Sequence, residues 1–134
     1  MTHKINHIGI AVQSIDAVIP FYRDQLGMKF TGKEDVAEQK VRVAMLCVGE
    51  SKIELLEPLS SDSPVAKFLE KNGQGIHHVA YEVEDVRAAI AKLVAEGCRM
   101  IDENPRQGAH GTLIAFIHPK SSHGVLTELC QSGH

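Results

Sequence analysis

The sequence predicts an α+β fold of two βαβββ modules, with helices outside strongly curved mixed sheets. Three observations support this prediction: an internal repeat, a helical pattern after the first strand of each copy, and three strand-like runs after each helix. At 134 residues the chain has the length of about one domain. We therefore expect a single domain over residues 1–134, with one module at about 1–59, a linker helix at about 60–74 and a second module at about 75–134.

The repeat begins with two short β-rich segments, residues 5–12 and 76–83, each with a histidine at the same place. A helical pattern follows each segment, with apolar residues three and four positions apart. In the first copy these are Ile15, Val18, Ile19, Tyr22 and Leu26, and in the second Val86, Ala89, Ile90, Leu93 and Val94. Gly27 and Gly97 are expected to end the helices, because glycine readily adopts a positive φ.

Strand-like runs follow both helices. They lie at residues 29–32, 41–48 and 52–56 in the first half, and at 99–101, 112–117 and 125–129 in the second. Short turns join the last two strands of each half, at residues 49–51 and 118–124, which predicts hairpins of unequal loop length. Between the halves, residues 64–71 form a short helical pattern with Ser63 as its N-cap and Pro64 at its first position.

Composition narrows the class of partner. The formal net charge of −3 and the pI near 6.2 disfavour a general affinity for nucleic acid or an anionic membrane, since both require a clustered basic excess. No apolar run approaches the roughly 20 residues that span a bilayer, and residues 1–4 lead directly into a strand. Three widely spaced cysteines form no CxxC pair, so we expect reduced thiols. A cytoplasmic protein with a small-molecule partner is predicted.

Four polar residues occupy matching positions in the repeat. His7 and His78 lie on the first strand of each module, and Glu54 and Glu128 on the last. Glu54 follows His7 by 47 residues and Glu128 follows His78 by 50, a difference that the longer second hairpin explains. Each glutamate lies inside an apolar β-run, where a carboxylate needs a partner or a metal ion to offset its desolvation. Taken singly, each residue is more often a surface or hydrogen-bonded side chain, but four at symmetric positions favour a common site.

A set of two histidines and two glutamates offers nitrogen and oxygen ligands to a divalent ion such as Co, Ni, Mn or Zn. Four protein ligands leave an octahedral ion with two neighbouring positions for water or substrate. Those open positions are what metal-assisted chemistry requires.

The sequence resembles the vicinal-oxygen-chelate superfamily of glyoxalases and bleomycin-resistance proteins, which are built from paired βαβββ modules around a divalent metal. Within that superfamily it is similar to the methylmalonyl-CoA epimerases over nearly the whole chain. The resemblance depends on the order and spacing of several motifs. They are the residues at 54–59, 62–64, 68–69, 75–80, 108–111, 118–120 and 124–129.

The resemblance implies a glyoxalase-like fold around a metal bound by His7, Glu54, His78 and Glu128. It implies epimerisation of (R)- and (S)-methylmalonyl-CoA by 1,1-proton transfer through a metal-stabilised enolate, in a homodimer. An acyl-CoA thioester would be the substrate. Glu54 and Glu128 would be the two proton shuttles, one on each side of the reacting carbon. Some family members instead carry a catalytic carboxylate on the strand at 41–48, which contains no acid here.

Two further segments are candidates for binding the substrate. Gly108, Ala109, His110 and Gly111 form a loop that could close over a ligand, because glycine allows a close approach of the backbone, or be an ordinary surface turn. Lys120 and Ser121 could contact the carboxylate or the coenzyme A phosphates of the substrate, or lie at a solvated hairpin tip.

Two other functions remain open. Glyoxalase I of the same superfamily also uses two histidines and two glutamates, and only the 58–64 segment and the hairpin at 118–120 favour the epimerase. A metal-free protein that sequesters a ligand, as in bleomycin resistance, shares the fold, but such proteins usually lack the four ligands. The shared fold does not decide among these functions.

Overall fold

The computed structural model describes residues 1–132, and the chain divides into two compact units, His7–His77 and Met1–Asn6 together with the part from His78 onwards. The predicted second module runs to residue 134, and its last two residues lie outside the described range. Among residues 1–132, no helix is long and apolar enough to cross a membrane. The single-domain assignment stays a prediction.

The unit His7–His77 contains a sheet with the strand order β2-β3-β4-β1. Its strands are β1 (Thr2–Ala11), β2 (Lys29–Val36), β3 (Val41–Val48) and β4 (Ser51–Pro58). Strand β1 begins in the other unit and pairs in parallel with β4. Strand β3 is antiparallel to both of its neighbours, β2 and β4. Helix α1 (Ile15–Pro20) follows β1, and α2 (Pro64–Asn72) follows β4.

The second unit repeats this arrangement with the strand order β5-β8-β7-β6. Its strands are β5 (Gly75–Val83), β6 (Arg106–Gln107), β7 (Leu113–Ile117) and β8 (Thr127–Gln131), and helix α3 (Val86–Ala95) follows β5. Strands β5 and β8 are parallel, whereas β7 is antiparallel to β6 and β8. The predicted α+β fold of two βαβββ modules is confirmed.

Alternation along the strands separates two faces in each unit. In the first unit one face packs against α1 through Ala44, Leu46, Ile53 and Leu55, which join Ile15 and Ile19 of the helix in one core. In the second unit the equivalent core packs β7 and β8 against α3. Because side chains alternate along a strand, residues one position away in sequence lie on the opposite face. That opposite face carries the predicted site residues.

The first helical segment differs from the prediction. It is α-helical only over Ile15–Pro20 and continues as a π-helical turn over Phe21–Gln25, in which the amide of Leu26 donates to the carbonyl of Phe21. Pro20 has no N–H to donate to the preceding turn, so the regular hydrogen-bond ladder is interrupted there. Gly27 ends the segment with φ of 75°, as predicted, and Leu26 is exposed rather than packed.

The predicted strand at residues 99–101 is wrong. Only one isolated bridge, between Met100 and Ile117, forms there, and the edge strand β6 lies further on at Arg106–Gln107. The carboxylate of Asp102 accepts the backbone N–H of Phe116 at 2.9 Å, so a side chain replaces a backbone carbonyl in the ladder. Pro105 also lacks a donor for pairing. In α3, Val94 is exposed although the apolar pattern placed it on the buried face.

The linker helix forms as predicted. The hydroxyl of buried Ser63 accepts the amide of Val65 at 3.2 Å, Pro64 occupies the first turn, and Gly73 closes the helix with φ of 75°. Before the helix, the ammonium of Lys40 and the hydroxyl of Ser60 both bind the carboxylate of Asp62. The hydrogen bond from Lys40 is the main reason that the pKa of Asp62 is lowered to about 2.

This pKa predicts a pH-dependent contribution to stability. Because the folded state lowers the pKa of Asp62 from 3.8 to about 2, its contribution is present above pH 4 and is lost as the pH falls towards 2. We expect the wild type and Asp62→Asn to differ in free energy of unfolding at neutral pH and to converge between pH 4 and pH 2. Urea titrations at each pH measure this. Glu38→Gln, at an exposed acid of the same unit, is the control, and a difference that stays constant with pH contradicts the prediction.

Candidate active site

The first predicted pair lies in the unit His7–His77. His7 on β1 and Glu54 on β4 are almost completely buried, and Nδ1 of the imidazole lies 3.1 Å from Oε2 of the carboxylate. In the parallel ladder, Glu54 lies opposite Gly9, two residues after the histidine. Both side chains project from the face opposite α1. The structure therefore brings these two predicted residues together.

The second pair lies in the unit that contains β5 and β8. His78 and Glu128 are also buried, and Nε2 of the imidazole lies 3.1 Å from Oε1 of the carboxylate. Glu128 lies opposite Ala80, again two residues after the histidine. The structure brings this pair together as well, at the equivalent register of the second unit. In the His77-His78 dipeptide, the second histidine makes the contact with glutamate, as the repeat indicated.

Both pairs lie among apolar side chains. The ladder partner of Glu54 is Met45 on β3, and Val43 lies two residues before it on the same face. The ladder partner of Glu128 is Phe116 on β7, whose ring packs edge-to-face on His78 with centroids 5.4 Å apart. An ionised carboxylate is costly in such surroundings unless a cation or hydrogen-bond donors compensate for the lost water. Burying these two pairs therefore costs stability, and packing of the fold alone does not require polar residues at these positions.

The donor types suit a divalent metal. Imidazole nitrogens and carboxylate oxygens are common ligands of Co, Ni, Mn and Zn, and the pair of His78 and Glu128 offers one group of each kind. Glu54, paired with His7, adds a second carboxylate of the same kind. The residues present thus fit a metal of this class.

One charged residue near the second pair was not predicted from the sequence. Arg106 on β6 is half-buried, with its guanidinium carbon 5.9 Å from the centroid of the Phe116 ring. Its Nε forms an ion pair of 3.0 Å with Asp102. The only signal in the sequence was a basic residue just before the glycine loop at 108–111, in a segment without periodicity.

The predicted loop Gly108, Ala109, His110 and Gly111 is a closed turn. The amide of Gly108 donates to the carbonyl of Thr112 at 3.0 Å, and the Thr112 hydroxyl donates to the carbonyl of Ala109 at 2.8 Å. Gly108 is buried, whereas His110 is exposed with φ of 56°. Packing alone therefore explains the glycine at 108, and a role of the loop in binding substrate stays a prediction.

Gly108→Ala is expected to destabilise the protein by about 1–3 kcal/mol, because overpacking forces neighbouring atoms to move. A Cβ at this position would lie 2.5 Å from Oγ1 of Thr112 and 2.8 Å from a methyl group of Ile114. Gly75→Ala is a matched control, since a Cβ there meets nothing within 4 Å. Urea unfolding of both variants and the wild type measures the difference. An equal decrease in the free energy of unfolding of the two variants would show that the close contacts at Gly108 do not destabilise the alanine variant.

The predicted substrate-binding residues Lys120 and Ser121 lie in the hairpin between β7 and β8. Lys120 is exposed, and the Ser121 hydroxyl accepts the amide of Arg99 at 2.7 Å. In the same turn, the pKa of His118 is lowered by partial desolvation and by the charges of Arg99 and Lys120. The serine therefore has a structural contact that fixes the hairpin, and binding of substrate by either residue stays a prediction.

Comparison with known proteins assigns the class. The profile of the Glyoxalase/Bleomycin resistance protein/Dioxygenase superfamily matches residues 6–116. The chain belongs to this superfamily, as the resemblance in its motifs indicated, and its glyoxalase-like fold is confirmed.

Within the superfamily, several relatives are methylmalonyl-CoA epimerases. The ethylmalonyl-CoA/methylmalonyl-CoA epimerase of Cereibacter sphaeroides is 43% identical over 98% of this chain and 99% of that protein. The structure of a variant of the Streptomyces coelicolor methylmalonyl-CoA epimerase in complex with 2-nitronate-propionyl-CoA is 44% identical, with a TM-score of 0.96 over 99% of this chain and 96% of that one. A methylmalonyl-CoA epimerase in complex with methylmalonyl-CoA and ammonium matches with the same identity, TM-score and coverage.

Proposed function

We propose that this chain is an enzyme that epimerises methylmalonyl-CoA by removing the proton at C2 and returning a proton to the opposite face. The supporting observation is the pair of buried His–Glu contacts at equivalent register in a chain that has a full-length relative among the epimerases. C2 lies between a thioester and a carboxylate, so the conjugate base is an enolate. Its formation requires a base near the carbon and stabilisation of charge on oxygen.

We further propose that His7, Glu54, His78 and Glu128 hold one divalent metal ion. The repeat, the burial of all four residues and their donor chemistry support this proposal. When bound, such an ion would stabilise negative charge on the substrate oxygens and fix their orientation. Which of Co, Ni, Mn or Zn is bound can be measured by metal analysis of the purified protein.

Glu54 and Glu128 are proposed to accept and donate the proton. Each carboxylate is buried beside apolar residues, Met45 and Phe116 respectively, and this environment keeps bulk water from competing for the transferred proton. The paired imidazole fixes the orientation of each carboxylate. On the first side Glu54 must act alone, because β3 presents Val43 and Met45 towards that face and supplies no acid.

We also propose a substrate class, an oligomeric state and a cellular compartment. The substrate is an acyl-CoA thioester, with Lys120 and Ser121 near its anionic groups and the loop from Gly108 to Gly111 beside it. The protein is proposed to be a cytoplasmic homodimer. The three widely spaced cysteines without a CxxC pair support a reducing compartment.

Proton exchange at C2 tests the proposed function. Metal-free and metal-restored protein are incubated with (R)- or (S)-methylmalonyl-CoA in deuterated water, and deuterium at C2 is followed by mass spectrometry. We expect exchange and loss of stereochemical purity only with restored metal. The hemithioacetal of glutathione is assayed alongside. Turnover of that compound without exchange at C2 would establish glyoxalase I instead, and tight binding of either ligand without turnover would establish a sequestering protein.

A further inference from the structure

Arg106 lies on the same face of its sheet as His78 and Glu128. In the antiparallel ladder its partner is Ile114, and the partner of Ile114 on the next strand is Cys130. Directly opposed residues in a sheet share a face, and so do residues two apart on a strand. Glu128 and Arg106 therefore project to the same side, although they lie two strands apart.

Two contacts fix the position of this arginine. Its guanidinium lies over the ring of Phe116, and that ring also packs edge-to-face on His78. One oxygen of Asp102 pairs with Nε of Arg106, while the other accepts the backbone N–H of Phe116. The orientation of Arg106 is thus set by the strand that carries the ladder partner of Glu128.

The guanidinium retains unused donors. Arg106 has five N–H groups, and Nε, although 3.0 Å from a carboxylate oxygen of Asp102, makes no hydrogen bond within residues 1–132. Its terminal amino groups make no hydrogen bond to any other residue within 1–132. The side chain is 33% exposed, so these donors lie at the surface of the face that carries the second His–Glu pair. A planar fork of donors in this position is suited to binding a carboxylate with two hydrogen bonds.

We propose that Arg106 determines specificity by binding the free carboxylate of the acyl group. This inference depends on the proposed function for the identity of the substrate. The carboxylate is attached to C2, where the proton is exchanged, and must lie close to Glu128 when Glu128 acts on that carbon. Only the ring of Phe116 lies between Arg106 and His78. This close spacing suits a substrate whose carboxylate is attached to the carbon that exchanges its proton. The coenzyme A phosphates are also anionic, but the pantetheine arm separates them from the acyl group.

Equilibrium binding tests the proposal without relying on turnover. Dissociation constants are measured by calorimetry for methylmalonyl-CoA and for propionyl-CoA, which keeps the phosphates and lacks the carboxylate. For Arg106→Gln we expect the dissociation constant of methylmalonyl-CoA to rise by about 10- to 100-fold, the usual effect of losing charged hydrogen bonds. The constant for propionyl-CoA should change less than about threefold. Arg106→Lys, which keeps the charge and loses the fork, should give an intermediate effect.

Arg87→Gln is the matched control, because Arg87 is an exposed arginine on α3, and it should alter neither constant. Circular dichroism and urea unfolding establish that each variant is folded. Equal weakening of both ligands by Arg106→Gln, or no weakening of either, overturns the proposal. The outcomes for function are separate: a wild type that binds methylmalonyl-CoA more tightly than propionyl-CoA but does not exchange its C2 proton refutes the epimerase and leaves the role of Arg106 intact.

Discussion

Glu128→Gln is expected to lower the rate of proton exchange at C2 by about 10²- to 10⁴-fold, the usual contribution of a positioned general acid or base. The amide has nearly the same shape as the carboxylate and can still occupy the position 3.1 Å from His78, but it cannot accept a proton. The loss should appear in kcat, because the proton transfer itself is affected. Steady-state exchange in deuterated water, starting from each epimer, measures it.

Two controls separate the base from other roles of Glu128. Glu103→Gln, at an exposed acid in the same unit, should exchange at the wild-type rate. Metal content is measured in parallel, because Glu128 is also a proposed ligand. A Glu128→Gln protein that keeps the full rate of proton exchange at C2 would rule out this residue as a base. A protein that loses both metal and activity, and recovers full activity at high metal concentration, would show that Glu128 acts only as a ligand.

Replacing His7 and His78 by Ala is expected to abolish stoichiometric metal binding and to lower exchange by about 10³-fold or more, since metal stabilisation of a developing charge is worth several kcal/mol. Both histidines are buried against a glutamate, so the double variant loses the imidazole that is proposed as a ligand in each unit. Metal analysis after dialysis and the exchange assay measure the two effects. His3→Ala, at a more exposed histidine, is the control.

Stability must be followed in the same experiment. Removing one partner of a buried ionic pair costs about 3–5 kcal/mol, because a charge is left buried without compensation. The single variants His7→Gln and His78→Gln keep a hydrogen-bonding group and should fold when the alanine variants do not. Folded glutamine variants that bind metal with wild-type stoichiometry and affinity would contradict the assignment of these histidines as ligands.

The sequence predicted matching positions for the two histidines and the two glutamates, and the contact within each module follows from the repeat and from strand alternation. Once His7 was matched with His78, the spacing to Glu54 and Glu128 needed only a longer second hairpin, and both contacts are present at 3.1 Å. A shift of one residue would have turned each side chain to the other face, so the apolar pattern specified the register. Patterns of this kind are local in each strand and can be read without knowing the tertiary structure.

The features that the sequence did not predict depend on particular hydrogen bonds. The carboxylate of Asp102 takes the place of a strand carbonyl for the amide of Phe116, and nothing in the local pattern distinguishes it from an ordinary loop acid. Arg106 was missed for the same reason, since its position depends on Asp102 and on the ring of Phe116. The π-helical turn after Pro20 also keeps the apolar spacing of a helix, so periodicity alone could not reveal it.

The parallel pairings of β1 with β4 and of β5 with β8 impose an order on the folding of the chain. The hairpin of β3 and β4 closes between Val48 and Ser51, whereas His7 pairs with the strand at Lys52 and Val79 with Thr127. Closing such long loops is slow compared with forming a hairpin. During synthesis, the pair of His7 and Glu54 can form while the second half is still being made, but Glu128 reaches His78 only after β8 has left the ribosome. Binding of a metal ion by both pairs, as proposed above, would therefore have to wait for the synthesis of β8.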